Sequence, residues 1–176
     1  GPKGAGALYI RRRDPRVQLQ PIIFGGGHER GIRSGTLPVP NIVGLGKACA
    51  LAQNEMGEES IKVRELQRII LAAILAELPE TKINGHIKNR LPGNLNLSFP
   101  GINNEALIAA MPEIAISSGA ACTTSTMEPS HVLMALGLST NEAYSSIRIG
   151  IGRFNSEEDI ETAGRSIISA IKKLQK

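Results

Sequence analysis

The decapeptide SSIRIGIGRF, residues 145–154, decides the fold class. Ile147, Ile149 and Ile151 fall at every second position, which puts three branched apolar side chains on one face of a strand and Arg148 on the other. The same alternation runs through NLNLSF, residues 94–99, with Leu95, Leu97 and Phe99 on one side and Asn94, Asn96 and Ser98 on the other. Both read as half-buried strands, and the flanking segments carry the helical period. Over 61–78, Leu66, Ile69, Ile70, Ala73, Ile74 and Leu78 form one stripe opposite charged residues. Over 156–174, Ile160, Ala163, Ile167, Ile171 and Leu174 form another. That second helix opens on Ser156 with Asp159 three residues on, a capping-box pattern, and ends in lysines that suit the helix dipole. A short helix at 104–111, a strand at 114–117 and a helix opened by Pro129 complete a compact α+β domain.

Upstream the pattern differs. PNIVGLGKACALAQNEM, residues 40–56, repeats Ile42, Leu45, Cys49, Ala52 and Met56 every three or four positions, with Pro40 as a start signal, so Cys49 is expected on a buried helix face. Residues 1–20 read as a hairpin, with a short strand around Leu8–Ile10, a turn at Asp14-Pro15 and an extended run resuming at Val17 and Leu19. A lone hairpin is marginal in water, so this one is expected to belong to a larger sheet.

Composition narrows the function. A chain of 176 residues, 41% hydrophobic and 20% charged, is that of an ordinary globular protein. No apolar run approaches the roughly 20 residues that cross a bilayer, and no membrane partner is expected. The net charge of +4 has one dense basic run, Arg11–Arg13, and with 3% aromatic residues a base-stacking surface is not expected, so nucleic acid is excluded as a partner. Cys49 and Cys122 are too few for a disulfide framework, which points to a reducing compartment, the cytoplasm. No pair of His or Cys has metal-ligand spacing, so no metal is expected.

Three places could carry chemistry. In SSGAACTTSTMEPSHVL, residues 117–133, Cys122 is surrounded by small and hydroxyl residues between a strand and a helix start. Such a mount suits a nucleophilic cysteine that must reach its target; the lesser alternative is a small residue in a tight turn. In GGGHERGIRSGT, residues 25–36, glycines let backbone N–H groups approach an anion while Arg30, Arg33, Ser34 and Thr36 add charge and hydroxyls. That composition fits a phosphate or a plain glycine loop, and it matches neither the Walker nor the Rossmann pattern. Arg148 could clamp a carboxylate with two parallel hydrogen bonds, or be a solvated residue on a strand face.

Taken together and in order, GPKGAGALYIRRR, GGGHERGIRSGT, PNIVGLGKA, SSGAACTTSTMEPSHVLMALGL and SSIRIGIGRF resemble the blocks of group I cysteine desulfurases, pyridoxal-phosphate (PLP) enzymes of the aminotransferase class V family. The long pattern SSG-x-AC-T-x-S-x-x-EPS makes the likeness specific. It implies the α/β fold of type I PLP-dependent transferases, with residues 1–57 as the end of the large PLP-binding domain and 58–176 as a small C-terminal α+β domain. It implies that Cys122 takes sulfur from L-cysteine as a persulfide, that Arg148 holds the substrate α-carboxylate, and that Thr36 reaches the PLP phosphate of the neighbouring subunit in a homodimer. PLP would serve as electron sink. The persulfide would pass to an iron–sulfur scaffold or a tRNA-thiolation protein.

In the family the Schiff-base lysine lies just upstream of the GPKG block, so the resemblance implies a C-terminal piece without that lysine, inactive by itself. Lys3 matches the lysine inside GPKG and is not the PLP anchor. Phe24 stands where relatives often carry His, and His131 where Tyr is common. Another PLP enzyme of the same fold, such as a selenocysteine lyase or a carbon–sulfur lyase, would share the phosphate and carboxylate residues but not the Cys122 motif. A non-catalytic persulfide carrier would keep the motif without the cofactor.

Overall fold

Pairing of the two alternating segments creates the sheet. In the computed structural model, which describes residues 1–118 and 128–175, β2 (Asn94–Ser98) runs antiparallel to β3 (Ser146–Gly150), and β1 (Lys82–Ile83) pairs with the other edge of β2, giving the order β1-β2-β3. The register sets Leu95 opposite Ile149 and Leu97 opposite Ile147. On the reverse face it sets Asn96 opposite Arg148 and Ser98 opposite Ser146. A slip of one residue would turn both apolar rows to the wrong side, so burial of one face specifies the register.

Two helices cover the apolar face. α1 (Val39–Glu77) contributes Val63, Leu66, Ile70 and Ile74 to a single buried cluster, and α5 (Glu157–Leu174) contributes Ile160, Ile167, Ala170 and Ile171. The cluster takes in Leu95, Leu97, Ile147 and Ile149 from the strands. At Gly164 of α5 an added Cβ would already lie in ordinary contact with Ile70 Cγ1, at 3.7 Å, so the helices meet closely there. The stripe over 61–78 is buried as expected at Leu66, Ile70, Ile74 and Leu78, while Ala73 is exposed and Val63 joins the core. The Ser156–Asp159 capping box forms in full: Asp159 N donates to Ser156 Oγ at 3.2 Å and Ser156 N donates to Asp159 Oδ2 at 2.8 Å.

Shorter elements close the domain. α2 (Asn104–Ala109) is capped by Asn103, whose Oδ1 accepts from Ala106 N. α3 (His131–Ala135) starts two residues after Pro129, and α4 (Thr140–Tyr144) leads directly into β3. The strand expected over 114–117 shrinks to one antiparallel bridge between Ser117 and Arg148, with Arg148 N donating to Ser117 O at 2.6 Å and Ser117 N to Arg148 O at 3.2 Å. Met111, at the end of the preceding turn, is buried, and its carbonyl takes the Ile114 N–H.

The chain divides into two compact units, Gly1–Met56 and Gly57–Lys176. In the first, the expected hairpin forms no strand among the described residues; a bond from Val17 N to Arg11 O closes the turn around Asp14-Pro15. A hairpin has too little partner surface to hold a ladder by itself. The first part of α1 also departs from expectation. Cys49 is exposed rather than buried, as are Ile42 at 42% and Met56 at 62%. Periodicity marks a stripe that can be buried, but within this unit only the first residues lie on it: an added Cβ at Gly44 would meet Pro2 Cγ at 2.9 Å, and Asn41 Nδ2 donates to Lys3 O at 2.8 Å.

Gly93 tests the packing beside β2. Its carbonyl accepts from Ile151 N at 2.8 Å, and a Cβ on it would lie 2.0 Å from Ile151 O. Gly93→Ala is expected to destabilise the chain by about 2–3 kcal/mol through forced separation of that pair. Gly152→Ala, with nothing within 4 Å of the new carbon, is expected to change stability by less than about 0.5 kcal/mol. Urea unfolding of both variants checks the contrast.

Candidate active site

The polar face of the sheet is the chemical face of the second unit. Alternation sends Asn96 and Ser98 of β2 and Ser146 and Arg148 of β3 to the side away from the core. Ser98 and Ser146 are buried all the same, which obliges them to find partners. Asn84 supplies them. Its Nδ2 lies 2.6 Å from Asn96 Oδ1, 2.7 Å from Ser98 Oγ and 3.1 Å from Ser146 Oγ, and its Oδ1 accepts from Ser98 Oγ at 3.0 Å. The two serine oxygens are 2.7 Å apart, and Ser146 Oγ donates to Glu142 O at 2.6 Å. Arg90 binds the Asn84 carbonyl through Nη2 at 2.5 Å, and partial burial holds its guanidinium below its ordinary pKa.

Arg148 stands at the open end of this network. Its side chain is exposed, and among the described residues it has no ion pair or side-chain hydrogen bond. Asn96 lies across from it on β2, and Ser117 lies across from it on the other side through the backbone bridge. The chain therefore delivers the residues just before 119 directly beside Arg148. Cys122 lies outside the described residues. The arginine was singled out from the sequence, but Asn84 and Asn96 were not. Alternation already placed Asn96 on the polar face; nothing in a single strand's pattern shows which residue of another strand it will oppose.

Glu142 anchors the approach to β3. It closes a capping box with Ser139, and its carboxylate pairs with Lys82 of β1 at 2.8 Å. The Lys82 hydrogen bond first, then the Ser139 backbone and hydroxyl donors, lower its pKa to about 2 from an ordinary 4.5.

Thr36 belongs to the first unit, in a loop tied to itself. Ile23 forms a parallel bridge with Arg33, Ser34 N donates to Ile23 O at 3.3 Å, and Gly27 N donates to the buried Ser34 Oγ at 3.2 Å. Gly35 N donates to His28 Nδ1 at 3.3 Å. At its tip a 3-10 turn spans Glu29–Gly31, with Glu29 and Arg30 at φ of 51° and 60°. Left-handed non-glycine residues are uncommon and concentrate at ligand-binding loops. Gly35, at φ 128°, holds a backbone conformation that residues with a side chain rarely adopt, and a Cβ there would also displace the Arg33 guanidinium, whose Nη1 would lie 2.6 Å away. Thr36 itself is exposed, as are Arg30 and Arg33.

Both places resemble parts of known proteins. The model of the aminotransferase class-V family matches residues 1–162. The chain belongs to the aminotransferase class V family. This class V chain is 52% identical over 174 residues to the cysteine desulfurase IscS of Ehrlichia chaffeensis, covering 99% of this chain and 42% of that protein. It is 47% identical over 175 residues to the cysteine desulfurase of Rattus norvegicus, covering 99% of this chain and 39% of that one. Among solved structures, a NifS-like protein superposes with a TM-score of 0.77 at 30% identity, over 90% of this chain and 40% of its own. The NifS-like protein from Rickettsia africae gives 0.74 at 33%, over 90% and 41%. The class V chain therefore has the α/β fold of NifS-like proteins and spans about two fifths of the length of these relatives.

Among the described residues no helix is long and apolar enough to cross a membrane. No group of His, Cys, Asp and Glu among them could hold a metal ion.

The depressed pKa of Glu142 yields a pH test. A carboxylate whose pKa is lower folded than unfolded stabilises the fold above the unfolded value, near 4.5, and loses that contribution as pH falls toward about 2. Glu142→Gln is therefore expected to lower the melting temperature at pH 7, with the gap to the parent chain narrowing below about pH 4.5 and closing only near pH 2. The pair is exposed, so salt is expected to shrink the gap at neutral pH. Thermal melts across pH, with and without added salt, check it.

Proposed function

We propose that this chain is the C-terminal part of a cysteine desulfurase, which converts L-cysteine to L-alanine and leaves the sulfur on Cys122 as a persulfide. The observation that carries the reading is the bridge between Ser117 and Arg148. It tethers the start of the cysteine segment to the strand bearing an exposed, uncommitted guanidinium, so a carboxylate held by Arg148 has the root of that segment beside it. The names of the relatives support the same activity.

In this reading Arg148 binds the α-carboxylate of L-cysteine through two parallel N–H donors, which fixes the orientation of the substrate as well as its affinity. The Sγ of Cys122 attacks the substrate sulfur. An S–S bond forms as the substrate Cβ–S bond breaks, and L-cysteine plus the Cys122 thiol become L-alanine plus the Cys122 persulfide. PLP, when bound, supplies the electron sink for loss of the Cα proton.

The residues present fit the phosphate end of that cofactor. Thr36 offers an exposed hydroxyl on a loop held by its own hydrogen bonds, with the cationic Arg30 and Arg33 on the same loop. Thr36 would donate to the phosphate of PLP held by the neighbouring subunit of a homodimer. Residues 1–57 would be the end of the large PLP-binding domain and 58–176 the small C-terminal domain. The persulfide would go to an iron–sulfur scaffold or a tRNA-thiolation protein in the cytoplasm.

The test is sulfide release from L-cysteine by the PLP-loaded full-length protein. Cys122→Ala is expected to abolish both sulfide release and protein-bound persulfide. Arg148→Ala is expected to raise KM for L-cysteine about a hundredfold, the scale of a charge-assisted bidentate contact. Persulfide formation that survives Cys122→Ala would overturn the assignment.

A further inference from the structure

We infer that Asn96 is a second carboxylate-binding residue, its amide Nδ2 donating to the substrate carboxylate beside the Arg148 guanidinium. The inference rests on the reading of Arg148 given above. Asn96 and Arg148 are directly opposed in the β2–β3 register, so their side chains leave the same face of the sheet with Cβ atoms about 4.5–5.5 Å apart.

The orientation of the Asn96 amide is set from below. Its Oδ1 accepts from Asn84 Nδ2 at 2.6 Å, and its backbone carbonyl accepts from Asn84 N at 3.0 Å. Asn84 is itself buried and locked to Ser98 and Ser146. With the oxygen committed to this network, the NH2 group is turned the other way. Among the described residues nothing accepts from it, and Asn96 is only half-buried. A carboxylate has two oxygens and about four lone-pair sites, and one guanidinium fork fills two of them. The Asn96 amide can fill a third. A purely structural Asn96 would need its oxygen for Asn84 and would have no use for the donor.

The test uses the PLP-loaded full-length protein and two ligands, the product L-alanine and ethylamine, which is alanine without its carboxylate. Calorimetry gives both dissociation constants, and their ratio is the readout, because a general loss of structure weakens both. Asn96→Ala removes the donor; Asn96→Leu, of nearly the same shape, also removes it and leaves Asn84 Nδ2 with Ser98 and Ser146 as partners, and serves if the alanine variant folds poorly. Each is expected to weaken L-alanine about tenfold, as for a hydrogen bond to a charged group, with little change for ethylamine, and to raise KM for L-cysteine more than it lowers kcat. Unchanged L-alanine binding, or equal weakening of both ligands, overturns the role of Asn96. Arg148→Ala is the reference arm. If it weakens L-alanine while the Asn96 variants do not, only the present inference fails; if it leaves L-alanine binding intact, the carboxylate reading of Arg148 fails first.

Discussion

The antiparallel register of β2 on β3 is the constraint on which the second unit depends. It sets Leu97 against Ile147 on the inner face and Asn96 against Arg148 on the outer one. Because side chains alternate with a strict period of two, these consequences cannot be separated: whatever buries the isoleucines also aims the arginine outward. The core side is closed by α1 and α5, whose buried stripes meet over the strands and at Gly164. Core packing and site geometry are thus two readings of one pairing.

The outer face is unusual in being polar yet partly buried. Ser98 and Ser146 are 1% and 0% exposed, a cost that is tolerable because Asn84 and the Glu142 carbonyl satisfy their hydroxyls. A fully satisfied polar network is rigid, since each member has few alternative partners. Asn84 thereby acts at a distance from the exposed residues, fixing the amide of Asn96 beneath the solvent-facing edge where Arg148 stands. The capped start of α4, clamped to β1 by the Lys82–Glu142 pair, holds the other end of the same network in place.

The first unit is organised by a different economy. Its glycine loop has little core; it is held by short-range bonds among Ile23, Gly27, His28, Ser34 and Gly35. Such a loop presents its outer residues, Arg30, Arg33 and Thr36, to whatever approaches from outside. The apolar stripe of early α1, including Ile42, Cys49 and Met56, is likewise outward in this unit.

By itself the sequence determined the elements whose signal is local and periodic. The alternating segments around Leu95–Phe99 and Ile147–Ile151, the stripe from Leu66 to Leu78 and the Ser156–Asp159 cap all form where their spacing puts them, because burial and capping act within a few residues. Tertiary structure decided everything that depends on a second segment. Periodicity placed Cys49 on an apolar face, but only the neighbours of that face decide whether it is covered, and in this unit they leave it open. The segment 114–117 has strand-like residues yet pairs at Ser117 alone. The partners of Arg148, Asn96 across one edge and Ser117 across the other, come from positions 52 and 31 residues earlier by their numbering, and no local pattern encodes a register between strands so far apart. That register follows from which faces must leave water together, a property of the assembled core rather than of any one stretch of chain.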